Sequence, residues 1–200
     1  MTSATRQPAG KERFVGWLHS SPARMRELAE RTAEAGSWNV PTLVIEEALA
    51  LDVAGTPPVQ PWRDAKSAGQ YDLRSVFTAQ ALEAIAAGLP LRQQLLAEMD
   101  QAGARLLAGS DCPGCGLVPG RALHRELQLM VQSGLSPLRA LRTATADAAE
   151  YLRLQGEQGQ VAEGRRADLL LVEGDATTDI AALSAVRGVA VAGRWHPVKP

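Results

Sequence analysis

Long apolar runs, aromatic side chains and an excess of either charge are all scarce in this sequence. Aromatic residues make up 4% of the 200 positions, and 21 Lys and Arg nearly balance 22 Asp and Glu. No segment approaches the roughly 18 apolar residues that a membrane span needs. A net charge of −1 gives no basis for expecting nucleic acid or an anionic membrane as a partner. The polar start, MTSATRQPAGKERF, lacks the apolar core of a signal peptide, so we expect a cytoplasmic protein.

Residues that commonly ligate metals are also few. The sequence has three histidines and two cysteines, Cys112 and Cys115, and it contains no H-x-H and no H-E-x-x-H motif. One C-x-x-C pair cannot close a zinc site, which usually needs four ligands, and two cysteines this close make no useful disulfide staple. His19 and His196 lie in polar ends without a partner pattern, and we interpret both as surface residues. No phosphate loop, G-x-G-x-x-G or G-x-S-x-G motif is present.

Helices and short apolar runs alternate over the first 155 residues. SSPARMRELAERTAEAG predicts a helix that Ser21 caps and Gly36 ends, and WNVPTLVI (38–45) predicts a buried strand. This alternation is typical of an α/β protein with parallel strands. The other predicted elements are a loop over 52–72, helices over 75–87 and 91–102, a strand at 105–108, a helix carrying Leu123, Leu127, Met130 and Val131 that ends at Gly134, a helix that begins at 136–137 with a serine cap followed by proline, and a helix that Thr145 caps and that ends near Leu154.

From about residue 156 the composition changes to a small β-rich module. GEQGQVAEGRRADLLLVEGD places Gly turns around a predicted strand at 167–172, and VRGVAVAGRWH predicts two short strands about an Ala-Gly turn. About 45 residues are too few for a stable sheet domain on their own, so we expect this module to pack on the α/β part. The predicted division is therefore 1–155 and 156–200.

The stretch LLAGSDCPGCGLVPGRALHREL carries the main candidates for chemistry. Asp111 follows an apolar strand, and the C-terminal ends of parallel strands are where α/β folds bind ligands. Asp111 is therefore a candidate metal ligand or general base. His124 opens a helix after a Gly-rich loop and is a candidate substrate contact or proton donor. Spacing alone leaves open that Asp111 only caps a loop or helix and that His124 is an ordinary histidine near a helix N-terminus.

Several motifs taken together resemble the C-terminal half of metal-dependent amidohydrolases. They are AGARLLAGSD, PGRALHRELQLMVQSGLSPLRALRTATADAAEYL, GQVAEGRRADLLLVEGDATTDI and VRGVAVAGRW, and the imidazolonepropionase-like and prolidase-like members resemble them most. The resemblance runs from about residue 15 to the end. It implies a (β/α)₈ barrel with a small β-sandwich built from both ends of the chain. This chain would hold the last part of that barrel, with 38–45 and 105–108 as the seventh and eighth strands.

The resemblance also implies an activity. Members of the family hydrolyse amide, lactam or dipeptide-like bonds with a metal-activated water, often using one or two zinc ions. Bound Zn²⁺ lowers the pKa of water from roughly 15.7 to about 7 and polarises the scissile carbonyl. An aspartate on the last strand ligates the metal and takes the proton from that water, and Asp111 matches its position. His124 matches a position in the following loop, where it would contact the substrate.

The remaining ligands of the family have no match in this chain. They are an H-x-H pair, usually a carboxylated lysine and two further histidines, all from the first six strands. A full barrel takes about 250 residues, whereas roughly 150 remain here outside the β module. We therefore expect a C-terminal fragment, inactive alone, that needs the missing N-terminal half in cis or in trans. A lone carboxylate binds Zn²⁺ weakly, so the chain alone would not retain the metal.

Two other functions stay open at this point. The chain could be a non-catalytic remnant that serves as a binding or interaction module, or it could hold a thiol site at Cys112 and Cys115. A partial barrel would leave strand edges unpaired and apolar side chains uncovered. We therefore expect poor solubility or self-association, with the exposed side chains being Val44, Ile45, Leu106 and Leu107.

Overall fold

The computed structural model describes residues 15–57, 60–64 and 77–198. Within these ranges, no helix is long and apolar enough to cross a membrane. The α-helices are α1 (Pro22–Glu34), α2 (Leu43–Val53), α3 (Ala79–Gln101), α4 (Arg121–Gln132), α5 (Pro137–Thr143) and α6 (Ala146–Tyr151). The strands are β1 (Trp38–Asn39), β2 (Arg105–Leu106), β3 (Leu169–Val172), β4 (Val186–Val191) and β5 (Arg194–Pro197), and short 3₁₀ turns occupy Val15–His19, Gly114–Gly116 and Ile180–Ser184.

Serine caps begin two helices as predicted. The Ser21 hydroxyl accepts a hydrogen bond from the Arg24 amide at 3.3 Å at the start of α1, and Ser136 does the same for Arg139 at 3.2 Å in α5. Both helices have proline in the first turn, where the missing N–H costs no hydrogen bond. The predicted cap at Thr145 is wrong, because its hydroxyl donates to the Leu141 carbonyl at 2.8 Å instead.

The predicted strand over 38–45 is wrong beyond its first two residues. β1 ends at Asn39, and Thr42 takes a left-handed conformation (φ 47°) that turns the chain into α2. The apolar residues Leu43 and Val44 therefore begin a helix, in which they are buried with Ala48 and Leu49. Burial against the rest of the core outweighs the modest preference of β-branched residues for strands. The predicted loop begins only after Val53, and residues 58–59 and 65–72 of it lie outside the described residues.

The two helices predicted over 75–87 and 91–102 are one helix, α3, with Pro90 inside it. Thr78 caps this helix by accepting a hydrogen bond from the Ala81 amide at 3.2 Å. Proline removes an intrahelical hydrogen bond, but Ile85 and Leu96 are buried on either side of it. Packing of both halves against one core therefore keeps the helix continuous.

β1 and β2 form a parallel pair, which confirms the α/β class. Trp38 lies opposite Arg105, Asn39 lies opposite Leu106, and the Leu107 amide donates to the Asn39 carbonyl at 2.9 Å. The described residues contain no closed barrel. The predicted exposure of apolar side chains near these strands is wrong: Val44, Leu106 and Leu107 are buried, and Ile45 is partly buried against the core.

The C-terminal module is a three-stranded antiparallel sheet in the order β3-β4-β5. β4 and β5 form a hairpin about Ala192 and Gly193, both with positive φ, as the Ala-Gly turn predicted. Ile180 and Leu183 join the main core, and Val172 packs against it. The module therefore packs on the α/β part as predicted, while the division at residue 155 stays a prediction.

One face of this sheet carries exposed apolar side chains. Leu169, Ala190 and Trp195 lie opposite one another across the three strands, and so do Leu171, Gly188 and Pro197. Leu169, Leu171 and Trp195 are between 39% and 54% exposed. We call this surface, defined by Leu169, Leu171, Trp195 and Pro197, the open face of the module.

Candidate functional site

Asp111 lies in the loop that follows β2, on the C-terminal side of the parallel pair. It is exposed and left-handed, with φ 53°, and its carbonyl accepts a hydrogen bond from the Gly114 amide at 3.0 Å. This tight turn holds the backbone while the carboxylate stays open to solvent. The structure thus places Asp111 at the predicted edge of the sheet, and its chemical role stays a prediction.

The segments that follow the two strands are in direct contact at this edge. A β-carbon added at Gly109 would overlap Val40 Cγ1 and lie 3.6 Å from Thr42 Cγ2. Glycine is therefore required where the loop leading to Asp111 crosses the corner between β1 and α2. We call residues 40–42 the β1–α2 corner.

A buried carboxylate, Glu126 of α4, lies beneath this corner. Its side chain is shielded from solvent, and Oε2 accepts a hydrogen bond from the Val44 amide at 2.8 Å. Burial raises the pKa of Glu126 to about 7, although hydrogen bonds from the backbone of residues 42–44 act in the opposite direction. Next to it, Arg125 forms a two-bond ion pair with Glu47 of α2, at 2.6 and 2.8 Å. Neither acidic residue was singled out from the sequence, where a glutamate in a helix ordinarily faces solvent.

Arg63 stabilises the Asp111 loop on the side of Cys115. Its guanidinium is buried, pairs with Asp52 near the end of α2, and donates to the Cys115 carbonyl at 3.1 Å. Backbone hydrogen bonds also join the Trp62 carbonyl to the Val118 amide at 2.9 Å. Arg63 falls within the stretch predicted as a loop, and nothing in its spacing distinguished it from a surface arginine.

The two cysteines of the loop are poorly suited to thiol chemistry. Cys112 donates from Sγ to the Leu117 carbonyl at 3.1 Å, and Cys115 is buried. Burial raises the pKa of both thiols, that of Cys115 to about 11, and Asp52 adds to the effect at Cys115. Because the thiolate is the reactive and metal-binding form, these shifts argue against the thiol hypothesis.

His124 lies in the first turn of α4, half-buried, and burial lowers its pKa. It lines a mostly apolar cavity of about 780 Å³ between helices α4–α6 and strand β3. Asp111 is not among the residues that line this cavity. The structure therefore does not bring His124 and Asp111 together in one pocket, and the substrate-contact role of His124 stays a prediction. His19 and His196 are exposed, as interpreted from the sequence.

The residues of the described ranges do not fit a complete metal centre. Within residues 15–57, 60–64 and 77–198, no group of three or more His, Cys, Asp or Glu side chains is placed to hold a metal ion. A stable zinc site needs three or four such ligands in fixed geometry. Asp111 would supply one ligand of such a site.

A parallel strand pair flanked by helices, with an exposed aspartate after its second strand, defines an α/β protein. Comparison with known protein families identifies the family to which this α/β protein belongs. The model of the amidohydrolase family matches residues 79–196, which include α3, β2, the Asp111 loop and most of the β module. The chain belongs to the amidohydrolase family.

Individual relatives match shorter parts of the chain. An adenine deaminase from Mesorhizobium japonicum is 37% identical over 79 residues, which cover 40% of this chain and 12% of the deaminase. An imidazolonepropionase from Rubrobacter xylanophilus is 55% identical over 40 residues, which cover 20% of this chain and 10% of that protein. These matches confirm the predicted resemblance to the superfamily, and the chain spans only about a tenth of the curated relatives it matches.

Solved structures match nearly the whole chain. The crystal structure of a putative prolidase from Bifidobacterium longum superposes with a TM-score of 0.60 and 30% identity. The match covers 81% of this chain and 35% of the prolidase. The fold of this chain therefore matches about a third of that prolidase.

Proposed function

We infer that this chain is the C-terminal part of a metal-dependent hydrolase that acts on carbon–nitrogen bonds of small molecules. Membership of the amidohydrolase family supports this proposal, as does similarity to an adenine deaminase, an imidazolonepropionase and a putative prolidase. The substrate class we propose is a small amide, lactam or dipeptide-like molecule. The partial (β/α)₈ barrel would contribute its last two strands, β1 and β2.

The observation that carries the proposal is the placement of Asp111. It follows β2 at the C-terminal edge of a parallel pair, within the segment that the family model matches. Its side chain is exposed, and the neighbouring loop residues 108–110 and Cys112 are partly buried. We assign Asp111 as the single metal ligand that this chain supplies, with zinc as the expected ion, and His124 as a substrate contact.

The proposed partner is the N-terminal half of the same enzyme, present in cis or in trans. It would supply the missing metal ligands, because the described donor set does not form a metal centre. The open face of the module and the outer edge of β3 would be covered by the same polypeptide. Leu169, Leu171 and Trp195 are exposed apolar side chains on that face, and such patches commonly mark protein contacts. We expect the chain alone to be inactive and to retain no zinc.

Metal analysis tests this proposal directly. The 200-residue chain would be purified alone and together with the product of any upstream coding sequence that carries an in-frame H-x-H, and bound zinc measured by mass spectrometry. We expect no zinc on the chain alone and one or two ions per complex. Asp111→Asn should lower the zinc affinity of the complex at least tenfold, whereas Asp175→Asn, at another exposed aspartate, should not. Zinc binding that is insensitive to Asp111→Asn would contradict the assignment.

A binding or interaction module is the alternative function. The cavity of about 780 Å³ and the incomplete donor set of the described residues favour it. It predicts that no upstream H-x-H sequence exists, that no zinc binds with any partner, and that Asp111→Asn leaves binding of other molecules unchanged. The same metal analysis therefore separates the two functions.

A further inference from the structure

The N-terminus of α2 is capped by a residue from a distant helix. The first N–H groups of any helix lack partners within it, and at α2 they belong to Leu43 and Val44, which are buried. Thr42, the residue before the helix, provides no cap, because its hydroxyl donates to the Pro41 carbonyl at 2.8 Å. Glu126 of α4 supplies the acceptor at 2.8 Å from the Val44 amide. A buried amide without such an acceptor would be costly, so this bond fixes where α2 begins.

The start of α2 in turn supports the loop that carries Asp111. The β1–α2 corner is the three-residue connection between β1 and the capped end of α2. Val40 of this corner packs so closely on Gly109 that a β-carbon there would overlap its side chain, and that β-carbon would also touch Thr42. Gly109 precedes Asp111 by two residues, so a shift of the corner displaces the base of the Asp111 turn.

We propose that Glu126 is a positioning residue for Asp111, acting through the β1–α2 corner. Glu126 accepts the hydrogen bond from the Val44 amide and so fixes the start of α2. The corner moves together with that helix start, and Gly109 packs against the corner. The identification of Asp111 as the reacting carboxylate rests on the proposed function, whereas the coupling from Glu126 to the Asp111 loop does not.

Amide hydrogen exchange of the purified 200-residue chain, followed by mass spectrometry, tests the coupling. Glu126→Asp keeps the carboxyl group but shortens the side chain by one methylene, so that it no longer reaches the Val44 amide. We expect at least tenfold faster exchange in peptides covering 42–46 and, together with it, in peptides covering 109–118. Glu126→Gln keeps the reach and one acceptor oxygen, and should restore both peptides to within about threefold of the wild type.

A second variant tests the same coupling from the other end and does not depend on the stability of Glu126→Asp. Gly109→Ala places a methyl group against Val40. We expect it to accelerate exchange of the Val44 amide, even though the substitution lies in a different segment. Glu47→Gln is the matched control: it breaks the Arg125 pair on the same α2–α4 contact and leaves the cap in place. It should leave the 109–118 peptides unchanged.

The proposal would be overturned if hydrogen exchange in α2 and in the Asp111 loop responded independently to these substitutions. If Glu126→Asp accelerates exchange only in α2, if Gly109→Ala leaves Val44 unchanged, or if Glu47→Gln loosens the Asp111 loop equally, Glu126 does not position that loop. In the complex with the N-terminal half, Glu126→Asp should lower kcat about tenfold and leave KM unchanged. Absence of hydrolysis by that complex would refute the proposed function only, since the exchange measurements need neither metal nor substrate.

Discussion

The free energy of unfolding should depend on pH because the carboxyl group of Glu126 is buried. Burial raises its pKa from the ordinary value of 4.5 to about 7. Between these values the folded chain keeps a proton that the unfolded chain has released. The free energy of unfolding therefore falls as the pH rises from 4.5 to about 7, and changes little from this source above pH 7.

The size of the effect follows from the same shift. One pKa unit corresponds to 1.36 kcal/mol, so Glu126 contributes a loss of about 3 kcal/mol across this window. Out of a total stability of roughly 5–15 kcal/mol this is a large fraction. His124 titrates in an overlapping range, with its pKa lowered by burial, and acts in the opposite direction. A comparison with Glu126→Gln isolates the glutamate, because both chains contain His124.

Urea unfolding followed by circular dichroism at pH 4.5 to 8.5 is the appropriate assay. The difference in unfolding free energy between wild type and Glu126→Gln should change by about 3 kcal/mol between pH 4.5 and pH 7.5, with the wild type losing stability relative to the variant. A difference between wild type and Glu126→Gln that stays constant over this pH range would refute the reasoning.

The packing and the ion pairs of the structure predict the effects of three further substitutions. Met130→Ala, at a fully buried core position, should lower the unfolding free energy by about 2–5 kcal/mol in urea titrations, whereas Leu138→Ala, at a half-exposed position, should cost far less; equal losses would contradict the core described here. Gly188→Ala should displace the Trp195 ring, which covers that glycine, and shift tryptophan fluorescence to longer wavelength; an unchanged spectrum would argue against this packing. Arg63→Met leaves the partly buried carboxylate of Asp52 and the Cys115 carbonyl without the guanidinium, so it should cost about 1–3 kcal/mol and speed proteolysis within residues 111–118; unaltered cleavage there would show that Arg63 does not hold the loop in place.

The elements that could be predicted from the sequence are those with local signals. Ser21 followed by proline determines the start of α1 through contacts within four residues. The Ala192-Gly193 turn between two apolar runs likewise determines the β4–β5 hairpin. The position of Asp111 after β2 was also predictable, because a short apolar run that breaks at a glycine is typical of the end of a buried strand.

The elements that could not be predicted depend on residues far apart in the chain. The run LVI begins a helix because the corner at Thr42 and the acceptor from Glu126 form its start, and Glu126 is 82 residues from Val44. Arg63 is buried because Asp52 and the Cys115 carbonyl lie beside it in the folded chain. In each case the tertiary partner, rather than the local residue pattern, decides the conformation.

The distant cap on α2 also has a consequence for the order of folding during synthesis. Val44 and Glu126 are separated by 82 residues, and translation at about 5–20 residues per second makes that interval roughly 4–16 s. An isolated helix of 11 residues is marginal in water, so α2 leaves the ribosome without the residue that defines its first turn. The first turn of α2, next to the corner that supports Asp111, acquires this cap only after α4 has been made and has docked.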